Sequence, residues 1–156
     1  MRHEGITAGR NHYMNIKDQY RIIEFGEYGD ERGNLVVAEC GGIDVPFDVK
    51  RVFYIYGSDS TVVRGSHANR RTEFVLINVA GSSKVKIDNG VETDVVELNR
   101  PRMGLYLPAM LWKDMYDFSQ DSVLSVLASE HYDGNEYIRD HDEFIRMLQN
   151  APGNNK

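Results

Sequence analysis

Cysteine is nearly missing from this chain, positive charge is in deficit, and no long apolar run occurs. Cys40 is the one cysteine in 156 residues, so an intramolecular disulfide and a cysteine-built zinc cluster are both excluded. Its expected place is that of a small buried hydrophobe in a strand. Lysine and arginine total 18 against 24 aspartates and glutamates, a formal charge of -6. A surface that neutralises nucleic-acid phosphates needs the opposite balance, so no nucleic-acid partner is expected. Nothing approaches the ~18 apolar residues of a membrane span, which argues against a membrane partner. No secretory leader is visible, and the expected location is the cytoplasm. Internal repeats, low-complexity linkers and domain boundaries are missing too, and the length suits one domain with a full core.

What is present is a succession of short β-type runs. Residues 1–13, "MRHEGITAGRNHY", carry no periodicity and precede a second methionine, Met14. They are set aside as an extension or disordered segment, and His3 and His12 with them. "YRIIEFGEYGDERGNLVVAEC" predicts two strands separated by a loop rich in glycine and charge. "KRVFYIYG" alternates Val52, Tyr54 and Tyr56 against Phe53 and Ile55. "EFVLINVAGSSKVKIDNGVETDVVEL" holds three strand-like runs, the last two joined at Asp88-Asn89-Gly90, residues that accept a tight turn. "MGLYLP" and "SVLSVLAS" add two more. Such spacing predicts an all-β sandwich or barrel. In "EYIRDHDEFIRMLQN", Tyr137, Ile138, Phe144, Ile145 and Leu148 recur at roughly helical spacing, which predicts a short C-terminal helix. Its charged residues, His141 included, read as a solvated face. Residues 14–150 are thus expected to form a single domain and 151–156 a frayed tail.

One stretch carries chemistry. "RGSHANRRTEF" reads H-x-N-x-x-x-E, close to the H-x-H-x-x-x-E with which many small β-barrels hold a metal. Asn69 stands where a second histidine would, and an amide oxygen is a poor transition-metal ligand beside imidazole. In "LPAMLWKDM" the later strand offers Lys113 where another histidine would be expected, and a protonated lysine does not ligate. With two of four ligands lost, no metal is expected. His67 alone is still suited to proton abstraction, since imidazole titrates near about pH 6.5. Strand alternation predicts His67, Asn69 and Arg71 on one face, with Arg70 opposite. A histidine bonded to a backbone carbonyl for purely structural reasons is the alternative. Trp112 beside Lys113 could frame a ligand at a barrel mouth.

Together these residues resemble the TDP-4-keto-6-deoxyglucose 3,4-ketoisomerase family, sugar-nucleotide isomerases of the cupin fold. The resemblance runs from about Ile22 to Phe144, through "DERGNLVVAE", "VPFDVKRVFYIYG", "RGSHANRR", "GLYLPAMLWKDMYDFS" and "VLASEHYDGNEYIRDHDEF". It implies a cupin-type antiparallel β-barrel (jelly roll) with a short C-terminal helix. It also implies a metal-free, cofactor-free homodimer with exchanged N-terminal strands, serving deoxyamino-sugar synthesis for O-antigen or S-layer glycans. The chain departs from the family pattern in two places. Members read H-A-H where this chain reads His67-Ala68-Asn69, and carry histidine where it has Lys113.

The implied substrate is a TDP-linked 4-keto-6-deoxyhexose, whose C3 proton is acidic because it lies α to the C4 ketone. Removing that proton gives an enediolate, and returning one to C4 moves the carbonyl to C3. On the resemblance, His67 is the base, Tyr54 donates to the enediolate and Arg64 stabilises negative charge. Asn69, Lys113 and Trp112 would position the sugar. Arg32, Arg51 and Arg71 would bind the substrate, with Arg32 and Arg51 on the pyrophosphate. A sugar-nucleotide epimerase on a similar barrel and a non-catalytic sugar-nucleotide-binding cupin are the alternatives.

Overall fold

The computed structural model of the chain describes residues 15–152. The expectations for residues 1–13 and for the last four of the tail lie outside them. Two five-stranded antiparallel sheets face each other across one core, and the expected all-β barrel with a short C-terminal helix is borne out.

A single helical turn, α1 (Ile16–Gln19), is capped by the Asn15 side chain, which accepts from the Lys17 backbone. The first sheet runs in the order β1 (Arg21–Glu24), β9 (Met103–Leu107), β6 (Phe74–Ala80), β11 (Val123–Ala128) and β4 (Arg51–Tyr56). The second runs β12 (Tyr137–Ile138), β5 (Arg64–Asn69), β10 (Trp112–Tyr116), β7 (Ser83–Asp88) and β8 (Thr93–Leu98). Between them β2 (Gly26–Asp30) and β3 (Gly33–Val37) form a separate hairpin. Helix α2 (His141–Gln149) closes the chain, with Asp140 accepting from the Glu143 backbone at its start.

Period-two patterning explains which side chains fill the interior. Leu124, Val126 and Ala128 of β11 alternate into the core against Phe74 and Leu76. From the facing sheet come Val85, Ile87 and Met115. Burying each such side chain contributes roughly 1.5–3 kcal/mol. The first sheet also covers its outer face, where Ile23, Phe25, Val45 and Phe47 pack on Val75 and Ile77. A third cluster, Ala68, Trp112, Ile138 and Phe144, seats α2 on the outside of the second sheet.

Three expectations are corrected. The segment expected to give two strands gives three, because Glu31-Arg32 makes a tight turn inside the expected loop. Tyr137 and Ile138 are not helical: they pair with Asn69 and Ala68 of β5, and the helix starts only after Asp140. Two apolar residues before a helix cap fit either period, and pairing decided. Cys40 is exposed, because the chain turns through Gly41 and Gly42 at positive φ and leaves the sheet before reaching it.

Candidate active site

Strands β5 and β10 build the site. A bulge between them sets its geometry: Lys113 lies opposite His67, Asp114 opposite Gly65 and Met115 opposite Arg64, so Ser66 is the extra residue. Both Gly65 and Ser66 take positive φ, 88° and 52°. A Cβ on Gly65 would sit 2.9 Å from the Lys113 carbonyl oxygen, so glycine is required there. Directly opposed residues of an antiparallel pair point to the same side. Met115 and Ile87, the other partner of Lys113, are core residues. The bulge therefore gives Arg64 and His67 the same inward face, although three positions separate them.

Inside that face runs a buried polar chain. Lys113 donates from Nζ to Asn69 Oδ1 at 3.2 Å. Asn69 donates from Nδ2 to Glu136 Oε1 at 2.6 Å. The orientation of the amide is dictated by its partners, because an ammonium only donates and a carboxylate only accepts. Glu136 also accepts from the Thr72 hydroxyl and from the backbone N–H groups of Arg71, at 3.1 Å, and Thr72. All four side chains are at most 3% exposed. The Lys113 ammonium lies 4.8 Å from the centre of the Phe74 ring, a cation–π contact.

Burial governs the electrostatics. It pulls the Lys113 ammonium down to about 7, against the opposing attraction of Glu136. His67 falls to about 4, first through burial and then through the Lys113 charge, while a hydrogen bond with the Gly65 backbone works the other way. Its imidazole is thus neutral at physiological pH. Burial alone would raise Glu136, but the bonds from Thr72, Arg71 and Asn69 outweigh it and hold the carboxyl below its usual range.

Aromatic and cationic groups border His67 on its other side. The Tyr137 ring lies 4.8 Å from the imidazole, and Arg51 reaches the Tyr137 hydroxyl at 3.3 Å. Arg51 also stacks over Tyr132, and its buried Nε has no partner among the described residues. Arg139 covers the Tyr137 ring at 4.8 Å.

The sequence-predicted residues divide accordingly. His67, Asn69, Lys113, Arg64 and Arg51 are brought to this region. Tyr54 is not: it pairs with Ser125 on the outer face of β4 and is 63% exposed. Trp112 is corrected from ligand frame to structural anchor. One residue from Lys113 in a strand means the opposite face, and there the indole packs under α2 against Phe144 and His141. Arg71 does not share the His67 face either, because β5 ends at Asn69 and Arg71 turns out to an ion pair with Asp133 at 3.0 Å. Arg32 sits at the β2–β3 tip, its guanidinium clasped by Asp30. Glu73, third in the metal-like motif, accepts from Tyr106 at 2.5 Å. No group of three or more His, Cys, Asp or Glu side chains suited to a metal occurs among the described residues.

Glu136 and Tyr137 were missed by sequence reasoning. Both lie in "EYIRD", where helical spacing and charge suggested a solvated helix. The available signal was Asn69 itself, a buried strand amide that must find both an acceptor and a donor.

Comparison with known proteins agrees with the resemblance read from the sequence. The FdtA family, described as WxcM-like, C-terminal, matches residues 18–149. A TDP-4-oxo-6-deoxy-alpha-D-glucose-3,4-oxoisomerase from Aneurinibacillus thermoaerophilus is 40% identical over 128 residues, 82% of this chain and 91% of that protein. A 3,4-ketoisomerase from Helicobacter canadensis superposes with TM-score 0.81 at 40% identity, covering 84% of this chain and 98% of that one. The sugar 3,4-ketoisomerase QdtA from Thermoanaerobacterium thermosaccharolyticum, solved in complex with TDP, also gives 0.81 at 40%, with coverages of 84% and 95%.

Proposed function

The chain belongs to the FdtA family, and on that premise we propose that it is a sugar-nucleotide 3,4-ketoisomerase acting on TDP-4-keto-6-deoxyglucose. The observation that carries the reading is the placement of His67 directly opposite Lys113 on the inner face of the barrel, with the Tyr137 ring against the imidazole. A neutral base and an adjacent cation are what enolisation requires: one takes the C3 proton, the other balances the charge that develops on O4. Arg64 adds a second positive charge on the same face. Tyr137 is better placed than Tyr54 to donate toward the sugar, being in contact with His67. Arg51, with its unpartnered Nε and flanking Tyr132, is the favoured pyrophosphate ligand. Arg32 would join it only by exchanging Asp30 for phosphate.

The test is an NMR time course of fresh TDP-4-keto-6-deoxyglucose with the protein in deuterated water. Appearance of a C3 ketone with deuterium at C4 is expected, and it fixes the C4 configuration. Deuterium uptake with the ketone remaining at C4 would replace this reading by an epimerase. Binding with no exchange would replace it by a non-catalytic binding cupin.

The same reading includes a cytoplasmic homodimer in deoxyamino-sugar synthesis for surface glycans. In the single chain β1 pairs with its own β9, but β4 is an edge strand whose outward Val52, Tyr54 and Tyr56 are all more than half exposed. An apolar, unpaired edge of this kind is normally covered. The β2–β3 hairpin, exposing Tyr28 and Leu35, is likewise too small to be stable alone. A Val52→Asp substitution is expected to shift the protein from dimer to monomer in light scattering. A wild-type monomer at micromolar concentration would remove the dimer from the proposal.

A further inference from the structure

Lys113 carries its charge where burial opposes it. Ile87 is its register partner on β7, the Phe74 ring lies against the ammonium, and the side chain is shut off from water. Among the described residues the one hydrogen bond of Nζ goes to the Asn69 amide. A neutral amide does not offset a buried charge by itself. Behind that amide lies the Glu136 carboxylate, on the 3₁₀ turn Gly134–Glu136 that leads into β12.

We propose that Glu136 is a positioning residue for the reaction, whose carboxylate, acting through the Asn69 amide, keeps Lys113 an ammonium. The role rests on the ketoisomerase reading above, in which that ammonium balances the charge developing on O4. Glu136 Oε1 accepts from Asn69 Nδ2 at 2.6 Å and from the Thr72 hydroxyl, and Oε2 accepts from the backbone N–H groups of Arg71 and Thr72. Four donors on one carboxyl group keep it ionised in spite of burial. A carboxylate only accepts, so Asn69 must turn its NH2 group to Glu136 and its oxygen to Lys113. The negative end of the amide dipole therefore meets Nζ, and the charge of Glu136 adds to it from behind.

No other anion among the described residues serves Lys113. On its own face His67 is neutral and Arg64 is a second cation, while Arg139 adds positive charge on the His67 side. Asp114 follows it on β10 but points outward to Ser66, and Asp88 of β7 is held by His141. Glu73, just before β6, is held by Tyr106. The attraction of Glu136 is what opposes a burial that draws Lys113 down to about 7. Glutamine at 136 would reverse the polarity of the chain. Its oxygen would stay with the two backbone N–H groups, leaving its NH2 group toward Asn69 and Thr72. Asn69 would then turn its oxygen to that NH2 group and present its own NH2 group to Nζ, which suits a neutral amine and not an ammonium. Loss of the carboxylate charge acts in the same direction.

The experiment follows the ionisation of Lys113 by carbon-13 NMR of lysine-labelled protein, its signal assigned by its loss in Lys113→Met, beside pH profiles of kcat/KM. Wild type is compared with Glu136→Gln and Thr72→Val. Glu136→Gln is expected to lower the Lys113 midpoint by about one unit or more. Because the ammonium is the form present below the midpoint, kcat/KM should then fall about tenfold at pH 8 and about twofold at pH 6. Thr72→Val removes one bond to the same carboxylate and keeps its charge, so it should lower Tm and leave the midpoint in place. An unmoved midpoint in Glu136→Gln, an activity loss of equal size at pH 6 and pH 8, or a midpoint that moves as far in Thr72→Val overturns the assignment. Should Glu136→Gln not fold, Asn69→Leu replaces it, deleting the amide while the carboxylate stays: a fall in the midpoint upholds the assignment and an unmoved one overturns it. A wild type that forms no C3 ketone counts against the isomerase reading instead, because the Lys113 titration is read without substrate.

Discussion

Replacing His67 by asparagine is expected to slow turnover by about 10²–10⁴-fold while leaving the fold intact. The side chain is half-buried and its ring is not part of the Lys113–Asn69–Glu136 chain, so the core and the network survive its loss. Asparagine approximates the volume and keeps hydrogen-bonding capacity, but nothing then accepts the C3 proton. Because the imidazole is held neutral down to about pH 4, wild-type activity should not decline as pH is lowered from 7 to 5. The sign follows from the direction of the shift: a depressed histidine pKa lengthens the range in which the base is free. Progress curves with the nucleotide sugar, read beside circular dichroism, provide the check. A folded variant with near-normal turnover would remove His67 from the mechanism.

The largest effect on stability is expected at Glu136. Changing it to leucine would strand the Asn69 amide, the Thr72 hydroxyl and two backbone N–H groups in a dry interior. It would also leave the Lys113 charge without its nearest compensation. Removing one member of a buried charged network costs on the order of 3–5 kcal/mol. For a domain of this size that corresponds to a fall in Tm of roughly 10 °C or more. Glu136→Gln should lose less than half as much, since an amide oxygen can still accept. Thermal unfolding of the two variants decides the matter, and a leucine variant melting within two degrees of wild type would show that the network is not what holds β5 to the C-terminal segment.

Much of the fold was legible in the sequence because burial imposes a period of two. "KRVFYIYG" and "SVLSVLAS" were both read as strands and both are, with Phe53 and Ile55 turned to the core in one and Leu124, Val126 and Ala128 in the other. Asp88-Asn89-Gly90 marked its hairpin through local backbone preference, with Gly90 at φ 90°. The site was legible only in part. His67 and Lys113 stood out as chemistry-bearing residues in neighbouring strands, but alternation alone could not foresee the bulge at Ser66, which depends on the partner strand. It likewise placed Arg71 on a strand that had already ended. Glu136 escaped for a related reason: its burial is set by Asn69, 67 positions away, and nothing within its own segment records that.

The bulge in β5 also determines which kinds of sequence change this barrel can absorb. With Ser66 present, Arg64 and His67 share a face across an interval of three. Deleting Ser66 would restore an unbroken ladder with Arg64 and His67 two positions apart and still on one face, but it would remove the local bend that Gly65 and Ser66 make at positive φ. A residue gained or lost between His67 and Asn69 would instead carry every side chain beyond it to the opposite surface. Strand β5 therefore behaves like a reading frame everywhere except at its bulge. The slack in its count lies at Ser66, the residue that faces no partner in the ladder.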